Sequence, residues 1–247
     1  MTSLSDITAE AERLLSLARA RELPLRLLGG LAVQRHTRPE LSAAVGRQTP
    51  DIDLATPRGR GHGVADLLRE EGYAPDEAMN ALNGRRRLLF YDDANARKVD
   101  VFIGQFEMCH AIPVAERLEA EPETVPLAEL VLTKLQIVEL NEKDLRDLVA
   151  LLSSKPLVDD DQGINVKVIA RLLAEDWGLW RTTSMNLDRI RAGVGDYPLT
   201  ERDQRLVLEA CDRLWAAIEA EPKSRSWRLR ARIGERKRWY ELPEEVG

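Results

Sequence analysis

Apolar positions recur at helical spacing from the start of the chain. Ile7, Ala11, Leu14, Leu15 and Ala18 form one stripe of a helix over residues 5–21, with Ser5 or Asp6 as cap and Pro24 as stop. "LRLLGG" (25–30) then predicts a short buried strand running into a glycine turn, and "LAVQRH" a helix just after it. Residues 37–50 are polar and turn-rich, which predicts a loop or a frayed helix. "DIDLAT" (51–56) predicts the next strand, "PRGRGHG" a turn whose glycines supply positive φ, and "VADLLREEG" (64–72) a helix ended by Gly72. "RRLLFYDD" and "RKVDVFIG" predict two strands of a hairpin joined by "DDANA". Helices alternating with short strands make the first half an α/β (α+β) unit with a mixed sheet, and its boundary is set at residues 1–125.

From Pro126 the strand signal disappears. "LAELVLTKLQIVELNEKDLRDLVALLSS" predicts two helices meeting near Asn141, a good cap followed by acidic side chains. Residues 164–180, 183–192 and 201–220 also carry a helical pattern, so residues 126–247 are expected to form an all-helical domain with a basic terminal segment.

Composition narrows the class. The chain has 247 residues, 44% of them hydrophobic, enough for a real core. Its two cysteines, Cys109 and Cys211, have no CxxC spacing, which argues against a disulfide framework or a thiolate zinc site and fits a reducing cytoplasm. "MTSLSDITAEAERLL" lacks a basic start followed by an apolar run, so no signal peptide is expected. No apolar stretch approaches the roughly 18 residues that span a bilayer, and no membrane partner is expected.

The candidate chemistry lies in carboxylates. Strand residues two apart share a face, about 6.6 Å apart, so Asp51 and Asp53 are expected side by side while Ile52 and Leu54 face the core. Two carboxylates on one rigid face repel each other unless a divalent cation sits between them. The alternative is a polar strand end with solvated side chains. An EF-hand loop starting at Asp51 fails, because Ala55 and His62 stand at its fifth and twelfth positions. In "KVDVFIG", Asp100 is a lone acid in an apolar strand, which implies metal or an ion pair with Lys98 or Arg97. His36, His62 and His110 are scattered, with surface or capping roles expected for each.

Three parts in order, "LGG" (28–30), "DIDL" (51–54) and "VDV" (99–101), resemble the signature of the nucleotidyltransferase superfamily, the DNA polymerase β-like fold. "LVLTKLQIVELNEKDLRDLVALL" (130–152) is similar to the helical segment after the core in AbiE-type abortive-infection toxins and their minimal nucleotidyltransferase relatives. The resemblance implies a nucleotidyltransferase-type mixed sheet with flanking helices. It also implies a Mg2+-dependent transfer of a nucleoside monophosphate from a nucleoside triphosphate to a hydroxyl, the acceptor being RNA (including tRNA), a protein or a small molecule.

Carried over by position, Gly29 and Gly30 would hold the triphosphate, and Asp51, Asp53 and Asp100 would bind two magnesium ions, Asp100 also activating the incoming hydroxyl. Lys134 would contact phosphate, with Asp144 or Asp147 as a further acid; Arg85–Arg87 would add positive charge near the triphosphate. The toxin branch implies a cognate inhibitor protein as partner. Two departures stand out: twenty residues separate Gly30 from Asp51, and Leu31 follows the glycine pair where many members carry serine. A catalytically idle nucleotide-binding or regulatory module of the same fold is the alternative.

Charge singles out one further segment. The chain is −6 overall, yet residues 223–238 carry eight Lys/Arg against one Glu, with Trp227 inside the run and Trp239 beside it. That combination suits phosphate contact plus base stacking, as for RNA. The alternative is a terminal segment whose arginines pair with the protein's own acidic surface.

Overall fold

The first helix, α1 (Ile7–Ala20), begins where the Asp6 carboxylate accepts a hydrogen bond from the Ala9 amide at 2.7 Å in the computed structural model, which describes residues 3–46 and 49–242 and only the backbone of Ala43. The predicted apolar stripe is buried, and Glu10 is buried beside it. That carboxylate is satisfied by Arg13 at 2.8 and 2.9 Å, by the Leu4 amide at 2.9 Å and by the Tyr73 hydroxyl.

The chain divides into two units. One comprises Met1–Arg35, Gln48–Phe106 and Pro113–Pro126, and the other His36–Arg47, Glu107–Ile112 and Leu127–Gly247. In chain order after α1 come β1 (Arg26–Leu28), α2 (Gly29–His36), α3 (Ser42–Val45), β2 (Ile52–Thr56), α4 (Gly61–Glu70), β3 (Ala74–Pro75), α5 (Glu77–Asn83), β4 (Arg87–Asp92) and β5 (Arg97–Ile103).

The first unit is a mixed α/β structure. Its five-stranded sheet runs in the order β1-β2-β5-β4-β3, parallel between β2 and β5 and antiparallel elsewhere. The predicted hairpin is β4–β5, with Asp92 opposite Arg97. Ile52, Leu54, Phe90, Val99 and Val101 share one face of the sheet and are fully buried, so that face packs against the core.

One local expectation is corrected. Of the glycines in "PRGRGHG" only Gly59 has positive φ, while Gly61 and Gly63 lie inside α4. The segment 37–50 holds a 3-10 turn (Pro39–Leu41) and the short α3, residues 47 and 48 lying outside the described part. The α5 helix is capped by Asp76, and none of its residues is buried.

The second unit is mostly helical: α6 (Leu127–Leu135), α7 (Glu142–Ser154), α8 (Val166–Glu175), α9 (Trp177–Gly193), α10 (Glu201–Ala220) and α11 (Arg225–Ile233). Every residue of α6 is buried, the mark of a helix at the middle of a bundle. Asn141 caps α7 by accepting from the Asp144 amide at 3.0 Å. The carbonyls of Leu135 and Ile137, at and beyond the end of α6, accept from the Asn186 side chain at 2.9 and 2.8 Å.

The all-helical expectation is corrected by a short parallel pair, Leu157–Val158 with Ile164–Asn165. Gly163 allows it, because a Cβ there would lie 2.4 Å from the Pro156 carbonyl oxygen. The expected break between 180 and 183 falls instead at Asp176, whose carboxylate caps Gly178 and Leu179 and starts an unbroken α9. Among the described residues no helix is long and apolar enough to cross a membrane.

Candidate functional site

Two of the predicted carboxylates meet on the central strands of the first unit. Asp53 on β2 is in register with Asp100 on β5, so their backbones stand about 4.8 Å apart and their side chains leave the same face. Like charges so placed repel, and each is offset by a different device. Asp53 lies against the start of α2, where the positive end of the helix favours a carboxylate. The approach is so close that a Cβ on Gly29 would lie 1.9 Å from Asp53 Oδ2, and Gly29 itself has φ +64°. Gly30 and Leu31 follow in α2, both buried.

Asp100 is held by Arg87, the first residue of β4. The Arg87 Nε donates to Asp100 Oδ1 at 2.8 Å and a terminal nitrogen donates to Oδ2, a bidentate fork. The guanidinium also lies 5.2 Å from the centroid of the Phe102 ring. The expected partners were Lys98 or Arg97. Arg97 instead pairs with its register partner Asp92 at 3.0 Å, in a bridge that is almost wholly buried.

Asp51 precedes β2 rather than forming part of it, and its Oδ1 accepts from the Lys98 amide at 3.2 Å. The expected strand-face pairing of Asp51 with Asp53 is therefore corrected to a pairing of Asp53 with Asp100, with Asp51 turned to the backbone of β5. Among the described residues no group of three or more His, Cys, Asp or Glu side chains is arranged to hold a metal ion. Asp53 and Asp100 bring two carboxylates from β2 and β5 to one face of the sheet, the donor type that a hard cation takes.

Lys134, Asp144 and Asp147 form a cluster of their own within the second unit. The Lys134 ammonium lies 2.7 Å from Asp144 and 2.9 Å from Asp147, all three side chains buried. Burial alone would pull the ammonium pKa down; attraction to Asp147 and Asp144 overrides it and leaves the pKa raised. The expected phosphate contact from Lys134 is thus not what this side chain does here, because its charge is directed at two internal carboxylates. Neither aspartate is solvated, since α6 is buried along its whole length and both aspartates lie on the α7 residues buried with it.

The basic segment divides in two. Lys223 points inward to the Glu221 carbonyl at 3.1 Å and lies 5.9 Å from the Trp227 ring, and Arg230 stacks 4.6 Å over Trp177. Arg225, Arg228, Arg232, Arg236, Lys237 and Arg238 are exposed, and none has an ion-pair partner among the described residues. The one acid of the run, Glu235, pairs with Arg181 at 2.6 Å. Trp227 and Trp239 are each partly exposed and also pack against other tryptophans. All five tryptophans join one aromatic cluster, with Trp227 5.3 Å from Trp180 and Trp239 6.1 Å from Trp177.

His110, expected at the surface, is buried. Its Nε2 lies 2.9 Å from Thr182 Oγ1, which also accepts from the Trp239 indole at 3.1 Å. Burial pushes the imidazole pKa down, and Asp176, 4.0 Å away, only partly opposes this. The folded protein therefore holds a neutral ring while the unfolded chain takes up a proton near pH 6.5. Stability is expected to fall as pH drops from about 6.5 toward the lower folded value, and His110→Gln to flatten that slope in urea titrations at several pH values. An unchanged slope in the variant would assign the acid sensitivity to other groups.

No known protein family model matches the chain, and no characterised protein matches it in sequence.

Proposed function

We propose that the chain is a magnesium-dependent nucleotidyltransferase of the DNA polymerase β-like superfamily, moving a nucleoside monophosphate from a nucleoside triphosphate to a hydroxyl acceptor. The observation that carries this reading is the register of Asp53 with Asp100 on parallel neighbouring strands, with Gly29 at the start of α2 against the Asp53 carboxylate. The acceptor hydroxyl attacks the α-phosphorus to form a phosphoester as the α–β phosphoanhydride bond breaks and pyrophosphate leaves with the bonding pair. Asp100 takes the hydroxyl proton, and Asp53 with Asp51 completes the anionic face. Bound magnesium ions would supply charge neutralisation at the attacking and leaving oxygens. The protein's own contribution is positioning and fixed charge.

RNA is the acceptor class this reading favours. The six exposed cations of residues 225–238 give a phosphate-binding surface on a chain of net charge −6. A toxin-like role with a cognate inhibitor protein belongs to the same reading. The competing reading, an idle nucleotide-binding module, draws on the hold of Arg87 on Asp100 and on the burial of Lys134.

Calorimetric titration of each nucleoside triphosphate, with and without Mg2+, into wild type and Asp53→Asn separates the two. Magnesium-dependent binding that the variant loses, followed by transfer of label from the preferred nucleotide to RNA, is the expected result. Magnesium-independent binding that survives in Asp53→Asn would favour the idle module, and no binding at all would sink both.

A further inference from the structure

We propose that a cavity at the entrance to β1, lined by Arg19, Arg26 and Arg60, binds a small organic phosphate, with the phosphate group on the arginines and an apolar body on the neighbouring leucine and proline side chains. The cavity has a volume of about 430 Å3, within the range of small-ligand sites, and its lining residues all belong to the first unit. Arg26 pairs with Ala55 while Leu28 pairs with Asp53, so the cavity opens at the end of β1 away from the carboxylates. The site neither includes nor depends on Asp53 and Asp100.

Three segments bring the cations together. Arg19 lies in the last turn of α1, Arg26 opens β1, and Arg60 immediately precedes α4. Among the described residues none of the three has an ion-pair partner. Arg19 and Arg60 are exposed and need none, but Arg26 is half-buried. Burial lowers its pKa, the Arg19 charge lowers it further, and Glu119 opposes this only in part. The Arg26 Nε donates to the Glu121 and Leu118 carbonyls at 2.6 and 3.2 Å, and Nη1 donates to the Leu25 carbonyl at 3.0 Å. Nη2 has no acceptor among the described residues, so a guanidinium fixed at one end keeps donors open at the other. Phosphate oxygens accept from such a fork, and three cations favour a dianion over a single carboxylate. Leu23, Pro24 and Pro122 supply the apolar wall. Glu22 is the one acid among the lining residues, and its charge opposes the bound anion.

The test follows the amide proton–nitrogen spectrum of the full chain in EDTA as phenyl phosphate or inorganic phosphate is added. Phenyl phosphate is expected to shift the amides of Glu22, Leu23, Arg26 and Arg60, and to bind roughly tenfold tighter than inorganic phosphate because its ring meets the apolar wall. Arg19→Gln/Arg60→Gln is expected to weaken that binding by roughly tenfold, and Glu22→Gln to strengthen it about threefold. Shifts confined to residues 225–238 would place the anion on the basic segment and overturn the site. Unaltered binding in the arginine double variant, or weaker binding in Glu22→Gln, overturns it too, as does inorganic phosphate binding as tightly as phenyl phosphate. Binding lost in Asp53→Asn would assign the probe to the carboxylates, and no binding below about 10 mM would leave no site at all; each overturns the proposal. If the double variant melts early, the wild-type shift map and Glu22→Gln decide.

Discussion

Lys134→Met is expected to destabilise the protein by about 3–5 kcal/mol, the usual cost of removing one member of a buried ion cluster. The loss arises from what stays behind. Asp144 and Asp147 would face each other in a buried site that has lost the Lys134 ammonium, one from the first turn of α7 and one from its second. Removing all three charges together, as Lys134→Met/Asp144→Leu/Asp147→Leu, is expected to recover most of the loss, since a buried ion cluster and an apolar one of similar volume differ little. The raised ammonium pKa adds a pH signature. The cluster's contribution is fully present below the unfolded lysine value of about 10.4 and disappears as pH rises through the higher folded value. Urea denaturation of the four combinations measures this; a single variant within about 1 kcal/mol of wild type would mean that water reaches the cluster.

On the proposed nucleotidyltransferase reading, Gly29→Ala is expected to abolish magnesium-dependent nucleotide binding, a loss of at least about 100-fold, even though one methyl group is all that is added. The methyl would fall 1.9 Å from Asp53 Oδ2, so the carboxylate must turn away from its place beside Asp100. Backbone strain at φ +64° adds about 1 kcal/mol of destabilisation. A double-mutant cycle with Asp53→Ala separates the two costs. Without the carboxylate the added methyl meets less, and the double variant should be more stable than the sum of the singles by about 1 kcal/mol or more. Strict additivity would show that Gly29 is required by its backbone angle alone.

The two predictions differ in how far the sequence foresaw them. The glycine pair at 29 and 30 was readable as a strand-to-helix turn, but its reason was read as room for a phosphate. The structure supplies another neighbour, the Asp53 carboxylate, twenty-four positions along the chain. For Lys134 the apolar run around it was visible, yet a helix covered on every side is known only when its neighbours are placed. Sequence distance also misled the pairing of Asp100. Arg97 and Lys98 are near in sequence, but alternation along β5 sends Arg97 to the opposite face, where it takes Asp92. Arg87, diagonal across the hairpin, could have been named from the turn had its register been fixed first.

What the sequence determined by itself is what depends on near neighbours. It placed α1 with a cap at Ser5 or Asp6, the β4–β5 hairpin, the Asn141 cap and the alternation that buries Ile52 and Leu54 beneath Asp53. These follow from backbone periodicity and local hydrogen bonds, which act within a few residues. Only the tertiary structure decided which cation neutralises which carboxylate: Arg87 for Asp100, Arg97 for Asp92, Lys134 for Asp144 and Asp147. Ion pairing depends on separation in space and on exclusion of water, and both are fixed only when distant segments pack together.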